Sequence, residues 1–137
     1  MTASEHTPII ATLVAEQDRL AFLPTLFGPL MMHVESGIYD WMRQLCPDYD
    51  GGYWEFVALS NGGGYLRSAG GPWVLEVSGN GFLGTLSGDA AGMVVTLFAL
   101  SHLSFRFPES DLGANYHRVL EFAKQHPEAG KILAAID

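Results

Sequence analysis

The sequence is short of basic residues, of cysteine and of unbroken apolar runs, and each shortage removes a class of function. Only 7 of its 137 residues are Lys or Arg, against 15 Asp or Glu. The net charge of −8 accompanies a charged fraction of 16%, below the roughly 25% of ordinary domains. The chain is therefore poor in bases rather than rich in acids. Residues 1–47 hold 5 acids and 2 bases, residues 48–89 hold 5 and 1, and residues 90–137 hold 5 and 4. No stretch offers the basic stripe that attracts a phosphate backbone, so direct nucleic-acid binding is not expected. The lone cysteine, Cys46, rules out an internal disulfide and any cysteine-built metal site. It suits a reducing compartment. The N-terminus lacks a basic segment followed by an apolar run, as a secretory leader requires. The longest apolar stretch, within residues 89–103, is interrupted by Thr96, Ser101 and His102. That falls short of the roughly 20 residues of a membrane span, and the expectation is a cytoplasmic protein away from membranes.

What is present is apolar and aromatic. A hydrophobic fraction of 48% with 12% aromatics excludes general disorder, and the length fits one domain, residues 1–137, with a flexible lead-in over residues 1–8. Runs of aromatic and β-branched residues start at Tyr53, Tyr65, Trp73 and Phe82, separated by Gly62-Gly63-Gly64 and Gly79-Asn80-Gly81. Such spacing predicts antiparallel strands joined by hairpins. At Ser87-Gly88-Asp89 the period changes to that of a helix, with a hydroxyl or carboxylate to cap it and an acid in its first turn. Residues 90–103 are apolar on nearly every side, so that helix is expected to be buried all round. Before the strands, apolar residues at 31, 34, 38, 41, 42 and 45 predict an amphipathic helix ended by Pro47. A shorter helical pattern over 15–23 is expected to stop at Pro24, and 9–14 reads as extended in preference to a first helical turn. After Phe107-Pro108, a stripe at Leu112, Tyr116, Val119, Leu120 and Ala123 predicts another helix, capped by Ser110 or Asp111. His126-Pro127 separates it from a last short helix over 128–136. The sum is an α+β fold in a single domain: an antiparallel three- to four-stranded β-meander packed with a buried central helix and flanking helices.

Motifs for chemistry fail on context. Gly79-Asn80-Gly81-Phe82-Leu83-Gly84 has the letters of a dinucleotide-binding turn, but a strand follows it where a helix must open, and no acid lies about 20 residues on for a ribose. Asp48-Tyr49-Asp50-Gly51 starts like a calcium loop, yet position twelve is Leu59 rather than a glutamate. The histidines 6, 33, 102, 117 and 126 lack metal-ligand spacing. His102, on the apolar helix, reads as a hydrogen-bonded core residue, and Cys46 as a small buried hydrophobe. Glu55 and Glu76 are expected to point outward on different strands. No catalytic, metal or cofactor-binding residue is assigned, and no cofactor is expected.

Nine strings in order carry a resemblance. They are Leu20-Ala21-Phe22-Leu23-Pro24 with Phe27-Gly28-Pro29, Tyr39-Asp40-Trp41-Met42 with Leu45-Cys46, Gly52-Tyr53-Trp54-Glu55-Phe56, and Leu59-Ser60-Asn61-Gly62-Gly63. Gly79-Asn80-Gly81-Phe82, Asp89-Ala90-Ala91-Gly92, Leu97-Phe98-Ala99-Leu100, His126-Pro127-Glu128-Ala129 and Ala135-Ile136-Asp137 complete them. Together they resemble the ArdB/KlcA antirestriction family of plasmids and other mobile elements. The chain departs from the family at Leu66-Arg67-Ser68 and at Gly88, both read as turn positions. The resemblance implies an α+β single domain that relieves type I restriction of incoming DNA in the recipient bacterium. It implies no mechanism. Scattered acids do not make a DNA mimic, so inhibition through a protein surface is preferred, with the type I restriction-modification complex or an associated host factor as partner. The alternative is a small-ligand-binding or enzymatic α+β domain using the glycine-rich sheet edge. Candidate protein-contact residues are Asp48, Asp50 and Glu55, which have no basic neighbour in sequence. Asp137 is added because negative charge at a helix C-terminus opposes the helix dipole, with a tertiary partner such as Arg19, or an external one, needed to relieve it.

Overall fold

The computed structural model describes residues 7–137. The expected flexible lead-in falls mainly on residues 1–6, outside the described residues. The elements run β1 (Ala11–Leu13), α1 (Arg19–Phe27), α2 (Met31–Leu45), β2 (Trp54–Leu59), β3 (Gly64–Ser68), β4 (Trp73–Val77), β5 (Phe82–Leu86), α3 (Gly88–Arg106), α4 (Leu112–Ala123) and α5 (Ala129–Ile136). The α+β class, the extended reading of 9–14 and the strand positions all hold.

Local chemistry explains most boundaries. In α2 the residues Val34, Ile38, Met42 and Leu45 share one face and are buried, and Cys46 turns extended because the following Pro47 disfavours helical backbone there. Ser87 caps α3: its Oγ accepts the Ala90 amide at 3.1 Å. Pro24 does not stop α1. It lies inside that helix, which continues until Gly28, at φ +55, leaves helical space while donating its N–H to the Pro24 carbonyl.

The strands divide into two sheets. One has the order β1-β2-β3 and the other is the β4-β5 hairpin, all antiparallel. The reason lies in α3, which occupies the edge of β3 that β4 would otherwise join. Gly88 and Gly92, one turn apart, set the helix backbone directly on that edge. A Cβ on Gly92 would stand 2.2 Å from the Leu66 carbonyl oxygen, and one on Gly88 would stand 2.2 Å from that of Ser68. One turn further, Thr96 Oγ1 accepts the Leu66 amide at 3.3 Å. The glycines permit the approach and the threonine satisfies a backbone donor of β3 that β2 cannot reach. The departures from the family at 66–68 and at Gly88 therefore lie in a strand and a helix rather than in turns, and Ser68 and Gly88 face each other.

Helix α3 is the core of the molecule. From Gly88 to Leu103 it is buried except at Asp89, Phe98, Ser101 and His102. At 19 residues and a mean hydropathy of 1.3 it is long and apolar enough to cross a membrane, but 67% of that stretch is buried within the protein. Helix α2 packs on it closely, with Gly37 leaving room for the Ala99 methyl.

Candidate functional site

The most organised polar centre forms where α3 begins. Asp89, in the first turn of α3, receives the Tyr65 hydroxyl on Oδ1 at 2.8 Å and faces His126 Nε2 through Oδ2 at 2.7 Å. Arg67 Nη1 lies 3.7 Å from Asp89 Oδ1, while its Nε donates to Glu55 Oε1 at 3.0 Å. Glu55 and Arg67 are direct cross-strand partners on β2 and β3. Glu128 closes the circuit by accepting the Ser87 amide at 3.0 Å and the Ser87 hydroxyl. Burial pushes the Asp89 carboxyl up, but hydrogen bonds from His126 and Tyr65, with the Arg67 charge nearby, outweigh it and hold the group below the usual carboxylate range. Glu128 is likewise lowered: burial opposes ionisation, and the Ser87 hydroxyl and amide overcome it. Burial beside the Asp89 charge pushes the Tyr65 phenol well up, so it stays a neutral donor.

An aspartate on a histidine is also the start of a catalytic relay, but the geometry here differs from what catalysis needs. The Glu128 amide donates to His126 Nδ1 at 2.9 Å. That makes Nδ1 an acceptor and places the proton of the neutral ring on Nε2, directed at Asp89. A general base must offer one nitrogen to a substrate. Here both nitrogens are engaged within the chain, and the side chain is only 8% exposed. The centre ties the starts of α3 and α5 to β3.

The expected contact residues separate. Asp48 and Asp50 are exposed on the loop between α2 and β2, and neither has an ion-pair partner among the described residues. Glu55 does not belong with them, because it is spent on Arg67. Arg19 does not reach Asp137. Its guanidinium donates to the Tyr53 hydroxyl and, at 2.6 Å, to the Trp54 carbonyl, and lies over the Phe56 ring at 4.4 Å. Arg19 is thereby brought beside the acidic loop: with Gly51, Gly52, Tyr49 and Tyr53 it lines an open cleft of about 350 Å³. The C-terminus is relieved instead by Asn80, whose Nδ2 donates to the carbonyls of Ala135 at 2.9 Å and Asp137 at 3.0 Å. The helix end that sequence alone leaves unfavourable is capped from the β4-β5 turn.

The glycine-rich segments are occupied by protein. The Gly79–Gly81 turn presents Asn80 to α5, and a Cβ at Gly63 or Gly64 would strike Arg118 or the Leu26 and Phe22 side chains. His102 is exposed rather than in the core; its Nδ1 lies 3.0 Å from the Phe98 carbonyl and its ring is 4.7 Å from Trp41. Cys46 is buried, and burial raises its thiol, which makes it a poor nucleophile. Among the described residues no three His, Cys, Asp or Glu side chains gather to hold a metal ion. The polar centre was not legible in the sequence, although Asp89 and the His126-Pro127-Glu128 run both stood out; 37 residues separate Asp89 from His126.

Fold and site together define a small α+β protein whose best-ordered polar groups are directed at one another. Comparison with known proteins gives the family. Residues 47–137 match the family model described as antirestriction protein. The chain is 49% identical to the antirestriction protein KlcA of Escherichia coli, over 96% of this chain and 95% of that one. It is 37% identical to the putative antirestriction protein YubI of Escherichia coli K12, over 90% and 93%. A solved structure, from work describing KlcA and ArdB as a novel fold with antirestriction activity against type I DNA restriction systems in vivo but not in vitro, superposes with a TM-score of 0.87. It is 51% identical and covers 96% of both chains. The chain belongs to the antirestriction protein family.

Proposed function

We propose that this protein relieves type I restriction of incoming DNA by binding another protein, without catalysis and without touching DNA. The observation that carries the reading is the closed Asp89–His126–Glu128 centre. Its aspartate, both imidazole nitrogens and the serine hydroxyl all have partners inside the chain, which leaves it no group to offer a substrate. The charge supports the second half. A net −8 opposes binding to phosphate, and the acids do not form the ordered rows of a DNA mimic: Glu55, Asp89 and Glu128 are turned inward. Activity of the structural relatives in vivo but not in vitro favours a target that includes a host factor over the restriction enzyme alone. Asp48 and Asp50 beside the Arg19–Tyr53 cleft form the candidate contact surface, with Asp137 as an outlying member. The test is phage plating on a strain with an active type I system, with and without this protein. Plating should rise when the protein is expressed, and no rise at good expression defeats the proposal.

A further inference from the structure

Among the described residues the outer edge of β1 is open, and its chemistry specifies what fits there. Ile10 and Val14 are tied to β2: the Ile10 carbonyl accepts the Ser60 amide at 2.9 Å, and the Val14 amide donates to the Phe56 carbonyl at 2.8 Å. Ala11 and Leu13, which stand opposite Leu59 and Val57, therefore alternate the other way and direct their N–H and C=O groups away from the sheet. Those groups have no partner among the described residues, and all three residues of β1 are exposed. Two residues before Ala11, in the same alternation, Ile9 faces outward too, and there the chain supplies a partner. Gln125 Oε1 accepts the Ile9 amide at 3.1 Å and Gln125 Nε2 donates to the Ile9 carbonyl at 2.7 Å. A side-chain amide thus takes the place of a neighbouring strand for one residue, and the ladder is unfilled beyond it.

Two further features describe the occupant. Ile10 and Leu13 are 58% and 51% exposed, and Leu20 follows at 93%, so apolar side chains are concentrated along this segment. Glu16 and Asp18 sit in the turn just after β1, exposed and without ion-pair partners among the described residues, while the nearby Arg19 is directed at Tyr53 and Trp54. Protected edges are commonly short or carry lysine or proline; β1 is short, at three residues, and carries neither lysine nor proline. We infer that β1 accepts an extended segment of another protein by strand addition. That segment is apolar at alternate positions and basic where it passes Glu16 and Asp18. A second copy fits less well, because two chains of −8 repel. The inference rests on the proposed protein-binding function and names its mode.

The probe is a short alternating Val–Lys peptide titrated into the whole protein and followed by amide NMR. The Ala11 and Leu13 signals should shift and gain protection from exchange. Ala11→Pro removes an outward N–H while leaving the bonds to β2 intact, and Leu13→Lys repels a basic strand without altering the backbone. Each variant should weaken peptide binding roughly tenfold, the scale of about one backbone hydrogen bond, and should reduce relief of restriction at unchanged melting temperature. Absent shifts in the wild type, or a peptide-dependent dimer, overturn the inference. If the wild type relieves restriction and both variants do so equally well, the edge is not used and the protein-binding function stands without it. If the wild type gives no relief while the Ala11 and Leu13 signals still shift, the functional reading fails and strand acceptance survives.

Discussion

The three-stranded sheet has two edges, and the chain treats them in opposite ways. On β3 a helix stripped of side chains at Gly88 and Gly92 lies against the strand, and Thr96 takes the Leu66 amide. Beside β1 a single glutamine pairs with Ile9, and among the described residues nothing fills the rest of that edge. The open edge is only three residues long, which limits chance pairing, while its outward amides and apolar flanks stay accessible to an extended partner. The covered edge carries stability, and the open edge is the one proposed above for contact.

The strongest test of that contrast is Gly92→Ala. The added methyl meets the Leu66 carbonyl and Arg67 Cα, backbone atoms that yield only if the strand moves. A loss of about 3 kcal/mol or more is expected, near the top of the usual overpacking range. Thermal denaturation checks it, and an unchanged melting temperature would show that α3 does not bear on β3 as described.

Asp89→Asn comes next. It leaves Tyr65, His126 and Arg67 facing a neutral amide, at an expected cost of about 1–3 kcal/mol. The pH dependence has a definite sign. Both Asp89 and Glu128 are lowered in the folded protein, so their stabilisation is complete above the unfolded carboxylate value of about 4 and is lost as pH falls through the folded values. Melting temperatures from pH 7 down to 2 should decline less steeply in Asp89→Asn and in Glu128→Gln than in the wild type. Parallel curves would place acid sensitivity elsewhere.

A smaller effect is expected at the other end of the molecule. Asn80→Ala removes the amide that caps α5 and should cost about 1 kcal/mol, the net worth of a typical hydrogen bond. Asp137→Asn leaves that backbone bond in place and should not move the melting temperature. Lost relief of restriction in Asp137→Asn would then mark a contact residue, and a fall in stability would mean that its carboxylate has an internal role.

A similarly small effect on stability belongs to Asp48→Lys combined with Asp50→Lys, within about 0.5 kcal/mol because the loop is exposed. Relief of restriction should nevertheless fall. Full activity in this double variant, alongside lost activity in Ala11→Pro, would place the contact on the strand edge alone.

The sequence by itself determined where the elements lie. Trp73–Val77, Phe82–Leu86 and the Ser87 cap can be read from a few adjacent residues, because period, capping and proline geometry act within one or two turns of chain. It also determined the family, through strings held in order along nearly the whole length. Only the tertiary structure decided which edge is covered, that Glu55 belongs to Arg67, that Asp89 meets His126, and that Asn80 rather than Arg19 attends the C-terminus. Pro24 shows the same limit on a smaller scale, since the packing of Leu23 and Phe27 carries the helix past a residue that local rules would end it on. These outcomes join groups far apart in sequence. Each depends on how whole elements settle against α3, and no local window contains that geometry.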